Sequence, residues 1–131
     1  MSTIFTQIIN GTIPCYKVKE DDHFIAFLDI QPLVIGHTLV VPKLAVDKWY
    51  HLPNPVLQGI LTFAQPIATA IELSFACERC GISIIGLEVP HTHLHLVPIS
   101  TANDLNFTQA KLSLTPQQMV RAQELILGNL S

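Results

Sequence analysis

Apolar residues recur along this chain with two different periods, and the switches between them divide it into elements. Near the start, Ile4, Phe5, Ile8 and Ile9 fall three to four residues apart, the spacing of one helix face, and Gly11 follows where a left-handed residue can end the helix. The period then drops to two. Residues 16–19 (YKVK) and 23–29 (HFIAFLD) flank the polar run Glu20, Asp21, Asp22, which predicts a hairpin. A third strand is predicted over 37–42 (HTLVVP), reached through a loop over 30–36 in which Pro32 and Gly36 interrupt regular structure.

The middle of the chain returns to the helical period. Leu57, Ile60, Leu61, Ala64, Ile67, Ala68 and Ile71 share a face, with Asn54 as N-cap and Pro55 at the first helical position. Pro66 lies inside this segment; an interior proline costs about 3 kcal/mol, so a kink or break is expected there. Strands are predicted again over 82–86 (ISIIG) and 91–99 (HTHLHLVPI). Thr115, Pro116 and Gln118 then fit the N-cap, first position and capping-box partner of a helix that Gly128 closes. The succession predicts an α+β domain over residues 1–131, with an antiparallel sheet, a long central helix and short terminal helices.

Composition narrows the class. The chain is 49% hydrophobic and 13% charged, yet no apolar run approaches the ~18 residues of a membrane span. Its net charge is −3, and Lys17, Lys19, Lys43, Lys48, Arg79, Lys111 and Arg121 form no cluster, so nucleic acid is not an expected partner. The opening MSTIFTQIINGTIP lacks a basic stretch before an apolar run, and a cytoplasmic location is expected. Cys15, Cys77 and Cys80 are then read as reduced thiols. Cys77 and Cys80 have no second pair with which to close a four-ligand zinc site and are read as packing residues.

The candidate chemistry is a row of histidines. On a strand, His91, His93 and His95 would project to one face, ~6.5–7 Å apart, while Thr92, Leu94 and Leu96 face the other way. Three imidazoles on a half-buried face are costly to desolvate as cations and titrate near neutrality. Two functional readings are open beside that of three ordinary histidines: the neutral middle ring attacks a phosphate, or the row binds zinc. Ile25, Phe27 and Asp29 also share a strand face, an apolar wall ending in a carboxylate that suits a flat base joined to a diol.

HTHLHLVP resembles the H-φ-H-φ-H-φ-φ signature of the histidine triad (HIT) superfamily, with Thr92 at the first φ. Residues 20–43 (EDDHFIAFLDIQPLVIGHTLVVPK) are similar to its nucleoside-binding segment, carrying D-I-x-P and then G-H-x-L-V-x-P-K. The likeness spans about residues 4–99 and leaves a C-terminal extension with a helix near 115–128. It implies a HIT-like fold and a hydrolase or transferase acting at the α-phosphate of a nucleoside monophosphate conjugate, an AMP phosphoramidate or a dinucleotide, with adenosine preferred. His93 would carry the nucleotidyl group, His95 would contact the phosphate, His91 would orient the nucleophile and His37 would lie beside the site. Asp29 would take the ribose hydroxyls, with Phe27 and Ile30 beside the base. No metal or other cofactor and no membrane are implied, and the zinc reading recedes because the family's nucleotide hydrolases work without a metal. A homodimer through the central helix and a neighbouring strand is implied too.

One stretch departs from the pattern. Leu87 and Glu88 stand where many HIT hydrolases carry Gln and then Ser or Thr. A carboxylate beside an anionic substrate repels it unless protonated or turned away, so Glu88 is expected to reshape the phosphate side of the site. The alternative reading is a nucleotide-binding or sensing module with weak turnover.

Overall fold

The second strand of the hairpin shows how the chain layers. In the computed structural model, which describes residues 2–130, Phe24–Leu28 (β2) is buried at every position. Successive side chains alternate between faces, so Phe24, Ala26 and Leu28 enter one apolar cluster while Ile25 and Phe27 enter another. β2 therefore lies in a sheet covered on both sides. Its partners are Lys17–Glu20 (β1) and Thr38–Pro42 (β3), and Arg79–Ser83 (β4) and Leu94–Ile99 (β5) complete a five-stranded antiparallel sheet in the order β1-β2-β3-β5-β4.

The larger core lies under two helices. Asn54–Ser74 (α2) buries Ile60, Phe63, Ala64, Ile67, Ala70 and Ile71, and Pro116–Asn129 (α3) adds Met119, Ala122 and Ile126. On the opposite face the short helix Ile4–Ile9 (α1) sets Phe5 against Ile25, Phe27, Leu39 and Val41. By length and composition alone α2 could cross a membrane; here its apolar stripe packs on the sheet. The fold is α+β, as the sequence predicts.

Local signals hold at α1 and α3. Gly11, at φ +83°, follows α1 in the left-handed region, and its N–H donates to the Ile8 carbonyl. Thr115 Oγ1 accepts from the Gln118 N–H while Gln118 Oε1 accepts from the Thr115 N–H, closing the capping box of α3.

Five local expectations are corrected. Asn54 is the first residue of α2 and Pro53 its N-cap, because the Val56 and Leu57 N–H groups reach back to the Pro53 carbonyl. The buried stripe of α2 takes Phe63 and leaves Leu61 at the surface. Pro66 does not break α2: the Thr62 carbonyl loses its partner on an exposed turn that water can reach, and the burial of Phe63, Ile67, Ala70 and Ile71 outweighs that loss. Gly128 lies within α3, which ends at Asn129. The fourth strand is Arg79–Ser83 and not 82–86, because β5 has paired residues opposite it only from His95 to Ile99.

Candidate active site

The histidine row enters the sheet at the start of β5, an internal strand. Only His95 belongs to β5; His91 and His93 precede it, so the expected strand over 91–99 begins at Leu94. Residues 91–93 leave the ladder because the Thr92 N–H and Oγ1–H both donate to the Val46 carbonyl, tying them to the stretch after β3. This anchor turns Thr92 away from the histidines. His91, His93 and His95 remain buried, at 0, 5 and 8% exposure.

His37 joins them from the start of β3. The loop from Asp29 to His37 is closed by the Asp29 N–H donating to the His37 carbonyl (3.0 Å), and Gly36 turns it at φ +98°. A Cβ on Gly36 would meet the Phe75 ring at 2.5 Å, so packing also excludes a larger residue.

The hydrogen bonds fix which ring nitrogen carries each proton. The Leu33 N–H donates to His37 Nδ1 (3.0 Å), so a neutral His37 carries its hydrogen on Nε2. That group lies 2.9 Å from His95 Nδ1 and donates to it, which leaves the hydrogen of His95 on Nε2. His93 Nδ1 lies 2.7 Å from the His91 carbonyl, which can only accept. The hydrogen is therefore on Nδ1, and Nε2 presents a lone pair. His91 Nε2 donates to the Pro42 carbonyl (2.7 Å), and its buried Nδ1 has no partner among the described residues.

Burial holds all four rings neutral. It is the largest cause in each case, pushing His37 down to about 4 and His95 to about 3, with the Lys111 charge next at His37 and neighbouring His93 next at His95. His91 and His93 are lowered by the same loss of solvent, while their hydrogen bonds to backbone carbonyls act the other way. Asp29 is raised by burial against the Gln31 N–H, which donates to its Oδ1 (2.9 Å). Its Oδ2 stands 3.7 Å from His37 Nε2.

Aromatic rings pack over this row. Phe5 stands edge-on to His93 and His91, with centroids 4.9 and 5.9 Å apart, and to Phe27 at 5.8 Å. Phe107 lies 4.6 Å from His95 and 6.1 Å from His37. The wall expected of Ile25, Phe27 and Asp29 is therefore covered: Ile25 and Phe27 are core beneath α1, while Ile30 is exposed on the loop. Glu88 is also turned outward and paired with Lys111 Nζ, at 3.0 and 3.1 Å to its two oxygens.

Phe5, Phe107 and Lys111 were not legible as site residues. The periodicity of α1 announced a helix but not its seat on the histidines, and nothing near Phe107 or Lys111 forms a motif.

Asp29, His37 and His95 bring ligand atoms within 4.8 Å of one another, the only such cluster among the described residues. A metal on His37 Nε2 would force the ring hydrogen onto Nδ1, against the Leu33 N–H donor, so the backbone opposes it. The described geometry suits phosphate contact better than metal ligation.

Comparison with known proteins shows the family and the fold. The sequence model of the HIT domain matches residues 10–102. A HIT-like protein of Borreliella burgdorferi is 39% identical over 102 residues, covering 72% of this chain and 73% of that one. The adenosine 5'-monophosphoramidase of Saccharomyces cerevisiae is 36% identical over 96 residues, covering 72% and 61%. Among solved structures, a zinc-bound histidine triad protein from Mycobacterium smegmatis superposes with a TM-score of 0.83 at 29% identity, covering 99% of this chain and 94% of that one.

Proposed function

This chain belongs to the HIT family, and from that premise we propose that it moves the nucleoside monophosphate of a nucleotide conjugate first onto His93 and then onto water. The observation that carries the reading is the His93 Nδ1–H donating to the His91 carbonyl, which leaves Nε2 as an unprotonated nucleophile beside the Nε2–H of His95.

In the first step the Nε2 lone pair of His93 forms a bond to the α-phosphorus, and the bond to the leaving group breaks with its electron pair departing on that group. Where the departing atom is oxygen the group leaves as an anion, and where it is nitrogen it takes a proton from solvent. The His93 ring gains positive charge, which the His91 carbonyl faces and stabilises. His95 Nε2–H donates to a phosphoryl oxygen as negative charge builds there. In the second step water attacks the phosphorus, the N–P bond breaks, its pair returns to His93, and the water proton passes to solvent with release of the monophosphate. Asp29 Oδ2 accepts the ribose hydroxyls, and Ile30 with the outer face of α1 flanks the base. The name of the yeast relative supports adenosine as the nucleoside. The Lys111 partner offsets part of the Glu88 charge, which weakens the reading of a binding module crippled by that carboxylate.

Replacing the nucleophile tests this. His93→Ala should lose at least about a thousandfold in kcat while still binding AMP, because the reaction path is removed and ground-state contacts remain. Rapid quenching of the wild-type protein should trap an acid-labile nucleotidyl group that peptide mapping places on His93. A label on His91, His95 or His37 would overturn the assignment.

A further inference from the structure

The four histidines of the site are neutral, so a phosphate there meets hydrogen-bond donors but no full positive charge from them. The charge comes from outside the family block. Beyond β5 the chain makes a 3-10 turn at Ala102–Leu105 and crosses the mouth of the site before α3 begins. Phe107 lies against His95 on this crossing, and the Leu112 N–H donates to the Pro32 carbonyl (2.8 Å) in the Asp29-to-His37 loop. Lys111, one residue earlier, is held between that loop and the loop bearing Glu88. Among the described residues it is the one Lys or Arg whose charge is felt at Asp29, His37 and His95, while Glu88 is felt at Asp29 and His93.

The Lys111–Glu88 pair is built to exchange partners. Glu88 is 77% exposed, and ion pairs at such positions contribute ~0–1 kcal/mol. Lys111 is more enclosed, at 26%. A terminal phosphate, doubly charged when bound, or a sulfate that becomes doubly charged as it departs, would be a stronger partner than one solvated carboxylate.

We propose that Lys111 is the specificity-determining cation of the leaving-group side: it binds the negative charge of the group that departs from the α-phosphorus, and Glu88 holds it in position between turnovers. The inference rests on the nucleotidyl transfer proposed above and names its substrate class, a nucleoside monophosphate joined to a second anion such as phosphate or sulfate. In the step that breaks the bond to phosphorus, the electron pair leaves on an oxygen of that anion, and Lys111 neutralises the charge that appears there without giving up a proton.

The test compares leaving groups within each variant. The ratio of kcat/KM for adenosine 5'-phosphosulfate to that for adenosine 5'-phosphoramidate should fall at least about tenfold in Lys111→Met and stay within about twofold of wild type in Lys111→Arg. Calorimetric affinities for ADP and AMP, measured with and without Lys111→Met in the His93→Ala background, supply a readout without turnover, and the preference for ADP should fall in step. Glu88→Gln should keep or raise that preference, since it frees the ammonium. An unchanged ADP-to-AMP ratio in Lys111→Met overturns the role of Lys111, as does an equal loss in Glu88→Gln, which would make the pair a clamp. If wild type turns over neither compound, the transfer reaction fails by itself, and the ADP-to-AMP ratio still decides on Lys111.

Discussion

At the scale of single residues, burial of the histidines couples the site to acidity. His37 is pushed from 6.5 down to about 4 and His95 down to about 3, so the unfolded chain takes up protons that the folded one refuses. For a depressed base the sign is a loss of stability as pH falls below about 6.5, continuing toward the folded values, at roughly 1.4 kcal/mol per pH unit for each ring. Asp29, raised by burial, opposes this within the carboxylate range. Urea unfolding at pH 7, 6 and 5 should show the midpoint dropping stepwise, and a flat midpoint would mean that the rings are solvated. Spacing alone made His91, His93 and His95 legible, because alternate positions point one way in any extended chain. The tautomers were not legible, since they depend on backbone groups of Leu33, Pro42 and His91 that no side-chain pattern encodes. Nor was the pairing of Glu88, whose partner Lys111 lies 23 residues along the chain.

At the scale of elements, a strong local penalty yielded to packing. Pro66 sits in a continuous α2, where propensity argued for a break. Pro66→Ala should therefore stabilise the protein by about 1–2 kcal/mol, because the restored N–H bonds the Thr62 carbonyl while the rest of the helix stays seated. A decrease in the urea midpoint would show that the proline ring makes packing contacts of greater worth. Element type was legible wherever the period was long, as in α2, or chemically marked, as in the Thr115–Gln118 box. Boundaries failed where pairing set them: 84–86 has strand-like residues but makes no pairs with β5, and 91–93 is held by the Val46 carbonyl instead of a ladder.

At the scale of the whole molecule, α2 and the edge at β4 both leave apolar residues exposed. Leu61 and Leu73 of α2 are exposed, β4 is an edge strand carrying exposed Ile82, and Ile84, Ile85 and Leu87 follow it. We propose a homodimer that covers some of these residues, and light scattering at micromolar concentration should return twice the 14.5 kDa chain mass. A monomer mass would leave them without that use. The line of hydrogen bonds from Leu33 through His37 to His95 also bears on the molecule as a whole. It begins at a peptide N–H, which has no lone pair and cannot take a proton. The line is therefore a dead end rather than a wire: it can polarise a bound phosphate, but it cannot draw a replacement hydrogen from bulk water through the protein. Along this line no hydrogen reaches the phosphate from behind His37, so any that is consumed in a turnover must come from the open side of the site.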